Sequence, residues 1–115
     1  MGRAVVAAEL VALAMSALAR FRELVHGRGK QLRELPIEEL RRAGDDPVHH
    51  VTVSNREGTI GVIVQLSRAG ALKVVIQGFL KGRFMPVKDV AIDGFYKYPD
   101  GTVADMSADE FYEFD

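Results

Sequence analysis

Cysteine is absent from this chain of 115 residues, which excludes disulfides, thiol catalysis and thiolate metal sites. Long apolar runs are missing too, because the stretch from Ala4 to Ala19 is shorter than the roughly 20 residues that a bilayer requires. A formal net charge of −1 gives no overall attraction to nucleic acid or to an anionic membrane. What is present, 48% hydrophobic and 27% charged residues, is typical of one ordinary globular domain.

The charges are distributed unevenly along the chain. Residues 1–88 contain 14 Lys and Arg against 8 Asp and Glu, whereas residues 89–115 contain 8 acidic residues and a single basic one, Lys97. A basic body with an acidic end can attract itself, a second copy or a basic partner, although two solvated surfaces of opposite sign are the simpler interpretation.

Residues 3–26 are predicted to form one long helix that Gly27 ends. Its few polar residues form a narrow stripe, so the helix must be buried on more than one side. A signal peptide ending near Ala19 is the alternative, but Glu9 interrupts the apolar run and the helical pattern continues through Phe21. The sequence therefore favours a retained helix and a cytoplasmic protein.

The remaining segments predict a short second helix from Pro36 to Gly44 and then strands joined by short turns. The expected fold class is α+β: both helices pack on a four- to five-stranded antiparallel meander sheet, and a short helical turn follows. We expect a single domain over residues 1–115, with a helical half (1–44), a sheet (48–105) and an acidic, aromatic C-terminal turn (107–115). This order resembles cystatin-like helix-on-sheet folds, in architecture only.

The predicted strands are Val48–Ser54, Thr59–Leu66, Ala71–Phe79, Val90–Tyr98 and Thr102–Ala104, with further strand material at Phe84–Val87. The turn between the first two strands is expected at residues 55–58, and residues 28–30 are expected to be a loop.

Two histidines and two aspartates, Asp45, Asp46, His49 and His50, form the densest group of potential metal ligands. Adjacent residues of a strand point to opposite faces, so His49 and His50 cannot hold one ion together. The sequence therefore predicts no metal site and no cofactor, and leaves the histidines as weak candidates for ligand binding.

The segment 78–84 mixes glycines, cations and aromatics, and Lys81 and Arg83 could hold a phosphate or carboxylate there. An ordinary turn between strands is the simpler interpretation. Asp89 and Asp93 share one face if their strand is regular, and Asp93 is a further candidate for binding. None of the four serines lies in a nucleophile elbow, so no catalytic residues are predicted.

Small residues recur every four positions in the first helix, which lets two helix backbones approach closely. The approach could be to a second copy, or to the protein's own sheet or second helix. Ser107 and Glu110 form a capping box, and the aromatic residues after it are expected to dock on the body of the chain or on a dimer mate. The predicted interface residues are Ala4, Ala8, Ala12, Ser16, Phe111 and Phe114.

The leading hypothesis is a non-enzymatic interaction or regulatory module that self-associates through its first helix, with a protein partner as a further possibility. The alternative is a small-ligand binding protein or enzyme with a pocket between helix and sheet, in which His49 or His50 and Asp93 supply the polar groups. Nucleic-acid binding through the basic half ranks third, and no membrane partner is expected.

Overall fold

The computed structural model describes residues 2–44, 48–67, 70–82, 88–107 and 110, and for residues 2–16 it describes the backbone alone. The helices and strands, in chain order, are α1 (Gly2–Arg33), α2 (Ile37–Ala43), β1 (Val48–Val53), β2 (Arg56–Leu66), β3 (Leu72–Lys81), β4 (Lys88–Lys97) and β5 (Val103–Asp105).

The five strands form one antiparallel sheet in the order β1-β2-β3-β4-β5, so every strand pairs with its neighbour in the chain. Both helices pack on this open sheet, which confirms the predicted α+β meander. The face under α1 is called the inner face below, and the opposite one the outer face. The core lies between α1 and the inner face, where Val74, Ile76 and Phe95 are fully buried.

The contact between α1 and the sheet follows a line of residues spaced by about one helical turn: Ala17, Phe21, Val25, Gly29 and Leu32. Two glycines on the inner face make room for this line. A Cβ on Gly78 would lie 2.6 Å from Val25 Cγ2 and 2.7 Å from Phe21 Cζ, and a Cβ on Gly58 would lie 3.1 Å from the same aromatic ring. Glycine is therefore needed where the helix approaches the sheet most closely.

The helix does not end at Gly27, as the sequence predicted, but continues to Arg33, so residues 28–30 are helical and not a loop. A glycine inside a helix costs about 1 kcal/mol relative to alanine, and burial of Leu32 with the close packing of Gly29 offsets that cost. Tertiary packing here overrides a local stop signal.

The first turn of the sheet also differs from the prediction of residues 55–58. Val53 pairs with Arg56, so only Ser54 and Asn55 form the turn. Both have positive φ, 49° and 63°, as a two-residue turn of type I′ requires. Arg56 thus begins β2.

Other boundaries follow the sequence closely. The second helix was predicted over residues 36–44 and occupies Ile37–Ala43, while β5 lies one residue later than expected. Leu66 shares the inner face with Val62 and Val64, but it is 71% exposed at the end of its strand. The strand material predicted at residues 84–87 lies outside the described residues.

Candidate functional site

Arg33, in the last turn of α1, is the centre of a polar cluster on the inner face. Its guanidinium donates two hydrogen bonds to the carboxylate of Asp93, at 2.8 and 3.0 Å, and its Nε donates to Asp105 at 3.1 Å. The same group lies 4.8 Å from the ring centroid of Phe95, and Lys97 Nζ donates to the Arg33 carbonyl oxygen at 2.8 Å. These contacts attach the end of α1 to β4 and β5.

The ion pair changes the proton affinity of both partners. Burial by itself raises the pKa of Asp93, but the hydrogen bonds and positive charge of Arg33 outweigh it, and the pKa lies below its usual value. The hydrogen bond from Arg33 to Asp93 in turn raises the pKa of Arg33. Asp93 is therefore an ionised structural anchor in this fold, and its two oxygens are engaged by Arg33 and by the Gly94 amide.

Asp89, the other aspartate on this face of β4, binds a different arginine. Arg56 Nη2 donates to Asp89 at 2.7 Å, and Arg56 Nε donates to the Lys81 carbonyl oxygen at 2.8 Å. The two aspartates lie on one face of β4, as their spacing predicted, but each pairs with a separate arginine. Each carboxylate is thus bound by an arginine of a different element, α1 for Asp93 and β2 for Asp89.

The two histidines lie on opposite faces of β1, as predicted. His49 lies on the inner face, beside a groove of about 330 Å³ between α1 and the first two strands. Glu23, Arg28 and Gln31 of α1 supply the groove's other polar groups. Asp93 is not among the described residues that line this groove, and its carboxylate is bound by Arg33.

His50 lies on the outer face and helps to form a wider hollow of about 560 Å³, which we call the outer depression. Its side chains come from four different strands, and they include Lys81 of β3 and Lys88 of β4. The sheet thus brings together two of the predicted binding residues, His50 and Lys81, that are far apart in the sequence. The residues lining it are His50, Val51, Thr52, Glu57, Gly58, Thr59, Phe79, Lys81 and Lys88.

Several predicted site residues lie where no side chain is described. Arg83, Phe111 and Phe114 are outside the described residues, and for the helix positions Ala4, Ala8, Ala12 and Ser16 the backbone alone is described.

The start of the C-terminal turn can be described. Tyr96 donates a hydrogen bond to the Glu110 carboxylate at 2.8 Å, and Ser107 Oγ lies 3.0 Å from the same carboxylate. The backbone amide of Ser107 also donates to Glu110, at 3.4 Å, which is one half of the predicted capping box. Glu110 is thereby held against β4.

Within the described ranges, no three His, Asp or Glu side chains come together as metal ligands would. No described helix combines the length and apolar character that crossing a membrane requires. No family model matches the chain, and no curated protein or solved structure matches it. Function must therefore be argued from the geometry.

Sequence reasoning did not single out Arg33 and Arg56, which organise the inner face. The predicted helix end at Gly27 leaves Arg33 outside the helix, although Phe21, Val25, Gly29 and Arg33 continue an unbroken spacing of four. Arg56 lies within the turn predicted at residues 55–58. The spacing could have indicated the first residue, but nothing local indicated that the second pairs with Asp89.

Proposed function

We propose that this chain is a non-enzymatic interaction module that forms a homodimer through the N-terminal part of α1, residues 2–16. The observation that carries the proposal is the length of the helix. It spans 32 residues, or about 48 Å. The longest strand, β2, has 11 residues and is about 37 Å long.

The dimensions of the molecule support an overhanging helix. Its principal extents are 61 × 25 × 24 Å and its Cα radius of gyration is 16.8 Å, against about 13 Å for a compact domain of this length. Between Ala4 and Met15 the only charged residue is Glu9. An apolar helix that extends past its own sheet needs another surface, and a second copy provides a matching one.

Helical periodicity supports the stripe of small residues as the contact. At about 100° per residue, positions 8 and 12 fall about 180° and 140° around the helix from position 17. Ala17 is 1% exposed and belongs to the line that packs on the sheet. Ala8 and Ala12 of the stripe thus fall on the side of the helix away from Ala17, which favours contact with the helix of a second copy over contact with the protein's own sheet.

Light scattering coupled to size exclusion tests the proposal. The wild-type chain should elute with twice its 12.7 kDa mass, and Ala12→Glu should elute as a monomer because it places a charge in the helix contact. Gln31→Glu is the control, since Gln31 is an exposed position of the same helix, far from residues 2–16 and on a different face from Ala12, and it should remain dimeric. A monomeric wild type, or a dimeric Ala12→Glu, would refute the proposal.

A further inference from the structure

We propose that the outer depression binds the phosphate or carboxylate group of a small organic anion, with an apolar ring of the ligand resting on Phe79. The site is separate from the self-association proposed for α1, because it lies on the outer face of the sheet. The basic side chains described in it come from three strands: His50 from β1, Lys81 from β3 and Lys88 from β4.

The strongest indication is the pairing of two lysines. Lys81 and Lys88 are directly opposite each other in the β3–β4 ladder, so their side chains leave the sheet on the same face. Like charges in directly opposed positions destabilise a sheet. Among the described residues no carboxylate forms an ion pair with either ammonium group. An anion bound between them removes this repulsion.

The rest of the depression suits a small ligand with a polar and an apolar part. Phe79 is 36% exposed, and it lies in the cross-strand row Thr59–Phe79–Val90. Its ring offers an apolar surface, and the hydroxyls of Thr52 and Thr59 are potential donors to an oxyanion. Among the described lining residues Glu57 is the one carboxylate and faces two lysines, so the balance of charge favours an anion.

Titration of the full chain with phenyl phosphate and with benzoate tests the site and distinguishes phosphate from carboxylate. We expect saturable chemical-shift changes at the amides of Thr59, Phe79 and Lys81 for at least one of the two probes. Lys81→Gln and Lys88→Gln should each weaken that binding about tenfold, because each removes one charge-assisted contact. Lys30→Gln removes the same charge from an exposed position of α1 and should leave binding unchanged.

A thermal measurement separates relief of repulsion from a general effect of ions. Without ligand, Lys88→Gln should melt at a higher temperature than the wild type, because Lys81 then has no like charge opposite. The better-binding probe should raise the melting temperature of the wild type, and sodium chloride at equal ionic strength should not reproduce the rise. Binding that does not saturate, equal weakening by Lys30→Gln, or a lower melting temperature for Lys88→Gln would overturn the proposal.

Discussion

Replacing a glycine of α1 by alanine should stabilise the fold at one position and destabilise it two residues later. Gly27 and Gly29 are both helical, but a Cβ on Gly27 would have no heavy atom within 4 Å. A Cβ on Gly29 would overlap Oδ2 of Asp93 and would lie 2.8 Å from Nη1 of Arg33. The first change adds helix propensity alone, whereas the second also disturbs the ion pair that attaches the helix to β4.

The expected magnitudes follow from these contacts. Gly27→Ala should raise the free energy of unfolding by about 0.5–1 kcal/mol, the usual difference between glycine and alanine in a helix. Gly29→Ala gains the same propensity but must displace a carboxylate that is bound by Arg33. Overpacking costs about 1–3 kcal/mol, and breaking a fully buried pair costs about 3–5 kcal/mol. Because the Arg33 side chain is 23% exposed, we expect a net loss of about 1–3 kcal/mol.

Thermal and urea unfolding of both variants would measure the difference, and Gly29→Ala should melt about 4–12 °C below the wild type. A double-mutant cycle tests the cause. In an Asp93→Ala background the obstructing carboxylate is absent, so Gly29→Ala should become neutral or stabilising. If Gly29→Ala stabilises the wild type as Gly27→Ala does, or if the loss persists without Asp93, the assigned close contact is wrong.

Two other predictions concern the acidic groups of the sheet and the tail. Because the folded pKa of Asp93 lies below its unfolded value of about 3.9, its ionised form stabilises the fold above about pH 4, and this contribution is lost as the pH falls through the folded pKa. Asp93→Asn should therefore reduce the dependence of melting temperature on pH below about pH 5, and an unchanged dependence would contradict the assignment. Truncation after Met106 removes Glu110 and its hydrogen bond to Tyr96, together with the aromatic residues of the tail. It should therefore lower the melting temperature more than Tyr96→Phe does. Equal melting temperatures of the truncated and full chains would refute docking of the tail.

The element order could be predicted from the sequence because strands and helices carry different hydrophobic periods. Leu72, Val74 and Ile76 alternate with outer-face residues, and all three are buried in the core, as alternation predicts. The adjacent Val75 is also buried, although it lies on the outer face, so alternation alone underestimates how much of β3 is covered.

Element ends and long-range pairs were harder to predict, for a physical reason. Gly27 is a legitimate stop signal in isolation, and only the contacts of Gly29 and Leu32 with the rest of the fold explain why the helix continues. Similarly, Arg33 and its partner Asp93 are 60 residues apart in the chain. Helix propensity and hydrophobic periodicity depend on residues that are close in the sequence. The end of α1 and the Arg33–Asp93 ion pair depend instead on residues that come into contact only after folding.

The two parts of α1 differ in how they are held in the fold. This difference determines whether the chain can bind a second copy and an anion at the same time. Residues 17–33 are fixed to the inner face by Phe21, by the close approach of Gly29 and by the Arg33 ion pair. Residues 2–16 contain one acidic and one basic residue, so few polar contacts are available to orient them. Pairing of two copies through residues 2–16 would leave the inner core intact, and Lys81 and Lys88 leave the sheet on its other side. Self-association and anion binding therefore require no common surface, and a variant that abolishes one should leave the other unchanged.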